Sequence, residues 1–333
     1  MAYTTIKKPS DYFNTKLYTG NASTNAITGV GHQPDMVWLK SRSFAQNHEM
    51  YDAVRTATKR IYPNGSYAED TNSTGLTAFN SDGFTLGAAN TINKSGDTFA
   101  SWNWLAGNGT ASNSNGSITS TVSANTTSGF SIVKWTGTGS SGTIGHGLGV
   151  APKVVIVKRY SAAADWVYYT TAIDGSLDYL FLNTTAAKAD SSASVPTSTV
   201  FSKSDTNNET QIAYCFAEKT GYSKFGTYTG NASTDGTFVY TGFKPAFILI
   251  KRADSTGRWV LWDSKRNPSN LMDNALFPNS SAVENDGYWK IDGLSNGFKI
   301  KDPEVEINAS GATFIYMAFA EEPLVGDNPC TAR

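Results

Sequence analysis

The residues that could carry a reaction are few, and their spacing supports little chemistry. Histidine occurs three times, at His32, His48 and His146. His32 and His146 lie in glycine-containing stretches, two and six residues before a proline, so they do not occupy equivalent positions. No Cys/His spacing suits zinc. There is no Gly-x-Ser-x-Gly elbow to expose a nucleophile. The run Gly145-His146-Gly147-Leu148-Gly149 precedes no helix and reads as a turn rather than a phosphate cradle. Asp70 with Asp82, and Glu304 with Glu306, are pairs of the kind that glycoside hydrolysis needs. The expectation is a protein that is not an enzyme and takes no cofactor or metal.

Recurring polar and aromatic residues are better candidates, and they point to binding. Lys40, Lys158 and Lys251 each end an apolar run, where they would meet a ligand or simply reach solvent. Trp166 and Trp259 present large aromatic faces that stack well on amphipathic ligands such as sugars. Trp38, Trp102 and Trp104 share that property, with core packing as the simpler role for all five. Asp52 and Arg55, like Asp263 and Arg266, have an Asp-x-x-Arg spacing, broken at Thr170 and Ile173. An exposed ion pair of this kind is worth about 0–1 kcal/mol, so a structural role is expected.

These residues sit on a stretch that occurs three times: Gly31 to Lys40, Gly149 to Lys158 and Gly242 to Lys251. Each copy has Gly, then Pro34, Pro152 or Pro245, then an apolar run ending in Lys. Upstream of each is an aromatic-Thr-Gly triplet, Tyr18-Thr19-Gly20, Trp135-Thr136-Gly137 and Tyr228-Thr229-Gly230. Downstream come Tyr51, Tyr169 and Trp262, and closing strands around Trp102, Tyr214 and Met317. Matched anchors in one order define an internal repeat.

The repeat predicts an all-β chain of three tandem β-sandwich units, jelly-roll or lectin-like, at 10–107, 128–220 and 221–323. Residues 1–9 read as an arm, 108–127 as a Gly/Ser/Thr/Asn-rich linker with a further edge strand near Ile118–Val122, and 324–333 as a tail. The central runs are apolar on both faces, as in a strand covered on both sides. Asp82-Gly83 and Asn296-Gly297 mark hairpin turns. One weak helix is predicted, over Ala53–Arg60.

Composition narrows the partners. Of 333 residues, 17% are charged, 27 basic against 28 acidic and well mixed. That is below the roughly 25% of an ordinary soluble chain, and without a basic stripe neither nucleic acid nor an anionic membrane surface is an expected partner. Cys215 reads as a buried thiol and Cys330 lies in the tail, so no disulfide framework is expected. Met1–Lys8 lacks the apolar core of a secretion signal, and no run approaches a membrane span. Synthesis in a cytoplasm, with release by lysis, is the expectation.

Several stretches carry a resemblance. Met1–Asn21, Thr28–Lys40, Ser123–Val133, Ile212–Ser223, Tyr228–Lys251, Tyr316–Glu321 and Thr331–Arg333 resemble a family of uncharacterised tandem-repeat virion proteins of tailed bacteriophages, marine ones especially. The resemblance covers essentially the whole chain and brings no catalytic motif. It implies a virion structural protein displayed on the particle, with other tail or capsid proteins as partners and the homo-oligomeric state open. Host attachment is the leading expectation, as a tail-fibre or receptor-binding protein on a host glycan or protein. Capsid decoration is the alternative, and a polysaccharide depolymerase a more distant one.

Overall fold

In this computed structural model, which describes residues 4–203, 208–325 and 329, the chain is nearly all β and its sheets are antiparallel. Helix among these residues is limited to Asn90–Asn93, Val305–Asn308 and a 3-10 turn at Pro9–Asp11. Ala53–Arg60 is not helical: φ of 76° at Thr56 and 70° at Thr58 breaks the backbone into turns, and Lys59–Arg60 pairs as a short strand with Asp70–Thr71.

The first segment supplies β1 (Phe13–Thr19), β2 (Met36–Ser41), β3 (Glu49–Asp52) and β4 (Thr98–Trp104). The second supplies β5 (Phe130–Thr136), β6 (Val154–Arg159), β7 (Trp166–Thr170) and β8 (Thr210–Phe216). The third supplies β9 (Ser223–Thr229), β10 (Phe243–Arg252), β11 (Trp259–Asp263) and β12 (Thr313–Pro323). Strand order repeats: β1-β4-β2-β3, β5-β8-β6-β7 and β9-β12-β10-β11. The closing strand of each segment thus lies between its first and second.

Glycine and proline set the register. Gly31, Gly149 and Gly242 have φ of 90°, 72° and 83°, a conformation that favours glycine, just before the second strand. Pro34 and Pro152 fall just outside β2 and β6, whereas Pro245 lies inside β10 at a register shift that accommodates its missing N–H.

Both faces of these sheets are covered. One face of every sheet enters a single central core, shared by Trp38 and Trp104 from the first segment, Ile156 and Phe216 from the second, and Phe247 and Phe319 from the third. The other face packs beneath a smaller outer sheet. In the first segment that sheet is Asn25–Thr28, Gly83–Leu86 and Leu76–Asn80; in the third it is Phe238–Tyr240, Gly297–Ile300 and Ile291–Leu294. Gly142–Gly145 pairs with Val200–Lys203 in the second. Two faces buried explain why Met36–Ser41 shows no polar alternation: Met36 and Trp38 face the central core, Val37 and Leu39 the outer one.

Two connecting stretches differ from expectation. Residues 4–9 are not a free arm: Ile6 is 1% exposed and belongs to the central core, and Pro9 is buried. The stretch 108–127 is not a linker throughout: the further strand expected near Ile118–Val122 forms at Ser120–Asn125 and pairs with β5, and Ala111–Asn113 extends that edge. With Asp178–Phe181 and Ala189–Asp190 on the far edge, the second sheet reaches eight strands. Polar composition suited a linker, but pairing satisfies the backbone whatever the side chains are. Cys215 is buried and unpaired, while Cys330 and most of the expected tail lie outside the described residues. No helix among the described residues is long and apolar enough to cross a membrane.

Candidate functional site

The five residues singled out as ligand contacts are all buried, and the reason is the way the segments interlock. Each segment sends a strap across its neighbour. The Ala164 N–H donates to Ser66 O and Glu69 N–H to Tyr160 O; Gly257 to Thr185 and Lys188 to Ala253; Gln46 to Ser281 and Glu284 to Arg42. The same pair of bonds therefore joins first to second, second to third and third to first. The chain closes head to tail into a ring of three.

Trp166 and Trp259 hold this ring. Their indole N–H groups donate to carbonyls of the neighbouring strap, Trp166 to Tyr62 at 2.8 Å and Trp259 to Phe181 at 2.9 Å. His48 fills the third equivalent position, its Nε2 3.0 Å from Phe277 O. Trp38 donates its Nε1–H to His48 Nδ1 at 2.9 Å, so the ring proton stays on Nε2 and the imidazole is neutral. Burial, followed by the nearby Lys40 charge, holds the His48 pKa well below its usual range.

Lys40, Lys158 and Lys251 are also buried, not strand ends in solvent. Lys40 Nζ donates to Ser41 O at 2.8 Å and reaches Ser281 O of the third segment at 3.4 Å. Lys158 Nζ bonds Ala164 O and, at 2.9 Å, Ser66 O of the first segment. Lys251 Nζ serves Arg252 O and Ser255 O in its own loop. Burial lowers each of these ammonium groups to a pKa of about 8. They gather loop carbonyls that the junctions would otherwise leave unpaired.

Two junctions contain a buried ion pair. Arg55 Nε meets Asp52 Oδ2 at 2.6 Å, Arg55 Nη1 meets Glu69 at 2.9 Å, and Tyr214 of the second segment donates its hydroxyl to Asp52 at 2.7 Å. Arg266 meets Asp263 at 2.5 Å and Glu284 at 2.9 Å, and Trp102 of the first segment donates to Asp263 at 3.0 Å. Burial alone would lower the Arg266 pKa, but the Asp263 and Glu284 charges outweigh it and the net shift is upward. These are the structural ion pairs that the Asp-x-x-Arg spacing suggested; inside, the carboxylates need all their donors.

The remaining sequence candidates are structural as well. Asp70 accepts from Arg60 and the Tyr62 hydroxyl, while Asp82 accepts the Gly29 and Gly31 N–H groups that shape the turn before β2. Glu306 takes the Arg258 N–H and the Trp289 indole, and Glu304 opens the short helix. His146 is buried, its Nε2 3.1 Å from Thr197 O. His32 lies 3.1 Å from Ser10 O.

Tyr67 and Tyr288 are exposed on loops, while the outer sheet of the third segment carries two exposed aromatics together. Phe238 and Tyr240, 44% and 55% exposed, flank the inward Val239 on an edge strand. Tyr240 pairs across the sheet with Gly297, which has no side chain to cover the ring, and Phe238 with Lys299. The same positions in the first segment are Ala26 opposite Thr85 and Thr28 opposite Gly83. The sequence signal was present as aromatics at both outward positions of Phe238-Val239-Tyr240, but locally it does not differ from that of aromatics that turn inward.

Fold and junctions define a class: an antiparallel β protein of three interlocked segments around one core. Within it, the chain belongs to the family described as Domain of unknown function (DUF7483), whose model matches residues 8–323. No curated protein and no solved structure matches the chain.

Proposed function

We propose that this protein is a non-enzymatic structural component of a bacteriophage particle, displayed on its surface and serving host attachment. In this reading each segment is one β-sandwich unit of jelly-roll or lectin-like kind, supported by the shared strand order and the separate core beneath each outer sheet. The observation that carries the attachment role is the exposed pair Phe238 and Tyr240, held on a rigid ring beside Gly297. Flat aromatic faces on a fixed edge strand suit a host glycan or protein surface. The protein is made in the host cytoplasm and leaves with the particle on lysis.

Ring closure favours a second reading, capsid decoration. Three equivalent segments arranged head to tail match a local threefold position on a shell. The same experiment separates the two. Intact phage is labelled with specific antibody and imaged, and purified protein is tested for blocking adsorption to host cells. Attachment predicts label at the tail and blocking that is lost in Phe238→Ala/Tyr240→Ala. Label over the head, with no blocking, refutes attachment and supports decoration.

A further inference from the structure

The exposed aromatics of the third segment belong to a wider face. From Phe238–Tyr240 the outer sheet continues through Gly297–Ile300 and Ile291–Leu294, and the bridge of Met272 to Ile291 adds a fourth stretch. Val239, Phe298, Ile300, Ile291 and Met272 are buried, so the residues alternating with them face outward. Cross-strand pairing arranges these in two rows. Phe238, Lys299 and Asp292 form one, which the Met272–Ile291 bridge extends to Leu271; Tyr240, Gly297 and Leu294 form the other. The matching rows of the first segment are Ala26, Thr85 and Ala78, then Thr28, Gly83 and Asn80. Large apolar groups in the third segment thus stand where the first has Ala26, Thr28 and Asn80.

Gly297 has a backbone reason: a Cβ there would lie 2.0 Å from Val239 O, as one on Gly83 would lie 2.0 Å from Ile27 O. Both sheets therefore have a gap, but of the two that of the third segment is walled by large side chains, Tyr240 and Leu294. The strands carrying these walls stand about 10 Å apart, so the trough admits a six-membered ring laid against Tyr240. Charge and size narrow the occupant. Lys299 lies 2.5 Å from Asp235 and opposite Asp292, so both signs stand side by side and neither an anion nor a cation is selected. Phe238, Tyr240 and the 42% exposed Leu271 present about 300 Å² of apolar surface. A stable protein partner, or a second copy of this chain, covers about 800 Å² per side. What fits is a small neutral unit with a C–H face to stack on an aromatic ring and hydroxyls to bond Lys299 and Asp292.

We infer that the receptor recognised by this face is a neutral glycan and not a protein, with one pyranose ring held against Tyr240 over Gly297; the inference rests on the attachment reading. Binding of the fluorescently labelled full chain to intact host cells tests it, before and after sodium periodate, which cleaves the vicinal diols of sugars. Periodate should abolish binding. Raising salt from about 50 to about 500 mM should change it less than about twofold, because no net charge is matched. Tyr240→Ala should weaken it about tenfold, while Tyr240→Phe, which keeps the stacking face, should stay within about twofold. Tyr240 is more than half exposed, so both variants keep the core intact. Binding that survives periodate overturns the inference and leaves attachment standing. Periodate-sensitive binding that is undiminished in Tyr240→Ala overturns it as well, because the glycan is then held elsewhere. Absence of binding to untreated cells overturns the attachment reading itself, and the inference with it.

Discussion

The junction of the first two segments and the junction of the second with the third share their backbone bonds but differ in chemistry. At the former, Asp52, Arg55 and Glu69 form a buried network that Tyr214 completes. At the latter, strand register places Thr170 where Asp52 stands, since Thr170 faces Val154 as Asp52 faces Met36. Ile173 stands in place of Arg55 and packs against the central core, and Met317 stands in place of Tyr214. The strap residue is Lys188 instead of Glu69, and its ammonium turns to Asp178 of its own segment at 2.6 Å. The third junction, with Asp263, Arg266, Glu284 and Trp102, follows the charged design.

The difference shows that a buried charge network changes as a set. Removing one member strands the others in a medium that cannot solvate them, whereas replacing all with apolar groups of similar shape is close to neutral. A half-replaced junction is the unfavourable state, and none of the three junctions is half-replaced.

Breaking one member of a charged junction should have the largest effect. Arg266→Met leaves Asp263 buried without its cation and Glu284 with Arg42 alone, and should lower unfolding free energy by about 3–5 kcal/mol, read by urea denaturation. A loss below 1 kcal/mol would mean that the network is solvated and the contrast between junctions unimportant.

Acid should come next. His48 is neutral in the fold, its pKa depressed by burial and by the Lys40 and Arg266 charges, while the unfolded chain takes a proton below about pH 6.5. The stability it contributes is therefore complete above that pH and is lost as pH falls towards the folded value, by up to about 1.4 kcal/mol per pH unit. His48→Trp copies the residue at the other two junctions and should flatten the slope between pH 6.5 and 5. An unchanged slope would assign it to the other histidines or to carboxylates.

The smallest effect is expected from converting one junction into the other. Asp52→Thr, Arg55→Ile and Tyr214→Met, with Glu69→Gln to remove the carboxylate that Arg55 would leave behind, should together stay within about 2 kcal/mol of the parent, though Arg55→Ile alone costs more than the quadruple. If the quadruple variant is the least stable of the set, the idea of replacement as a set is wrong.

Much of the architecture was readable from the chain. Gly31, Gly149 and Gly242 marked the turns, the apolar runs after them marked strands covered on both faces, and Asp82-Gly83 and Asn296-Gly297 marked hairpins that form. The roles of Lys40, Lys158, Trp166 and Trp259 were not readable. Trp166 bonds a carbonyl 104 residues away, and Lys40 reaches one 241 residues away. A polar end on an apolar run looks the same whether water or a neighbouring strap receives it.

By itself, then, the sequence determined the threefold repetition, the strand-rich composition and the positions of the turns, because local sterics and side-chain alternation act within a few residues. The tertiary structure alone decided that the ring closes and that Lys40, Lys158 and the tryptophans bind it from inside. Alternation shows which face of a strand is apolar, but what covers that face depends on segments that meet only when the core forms.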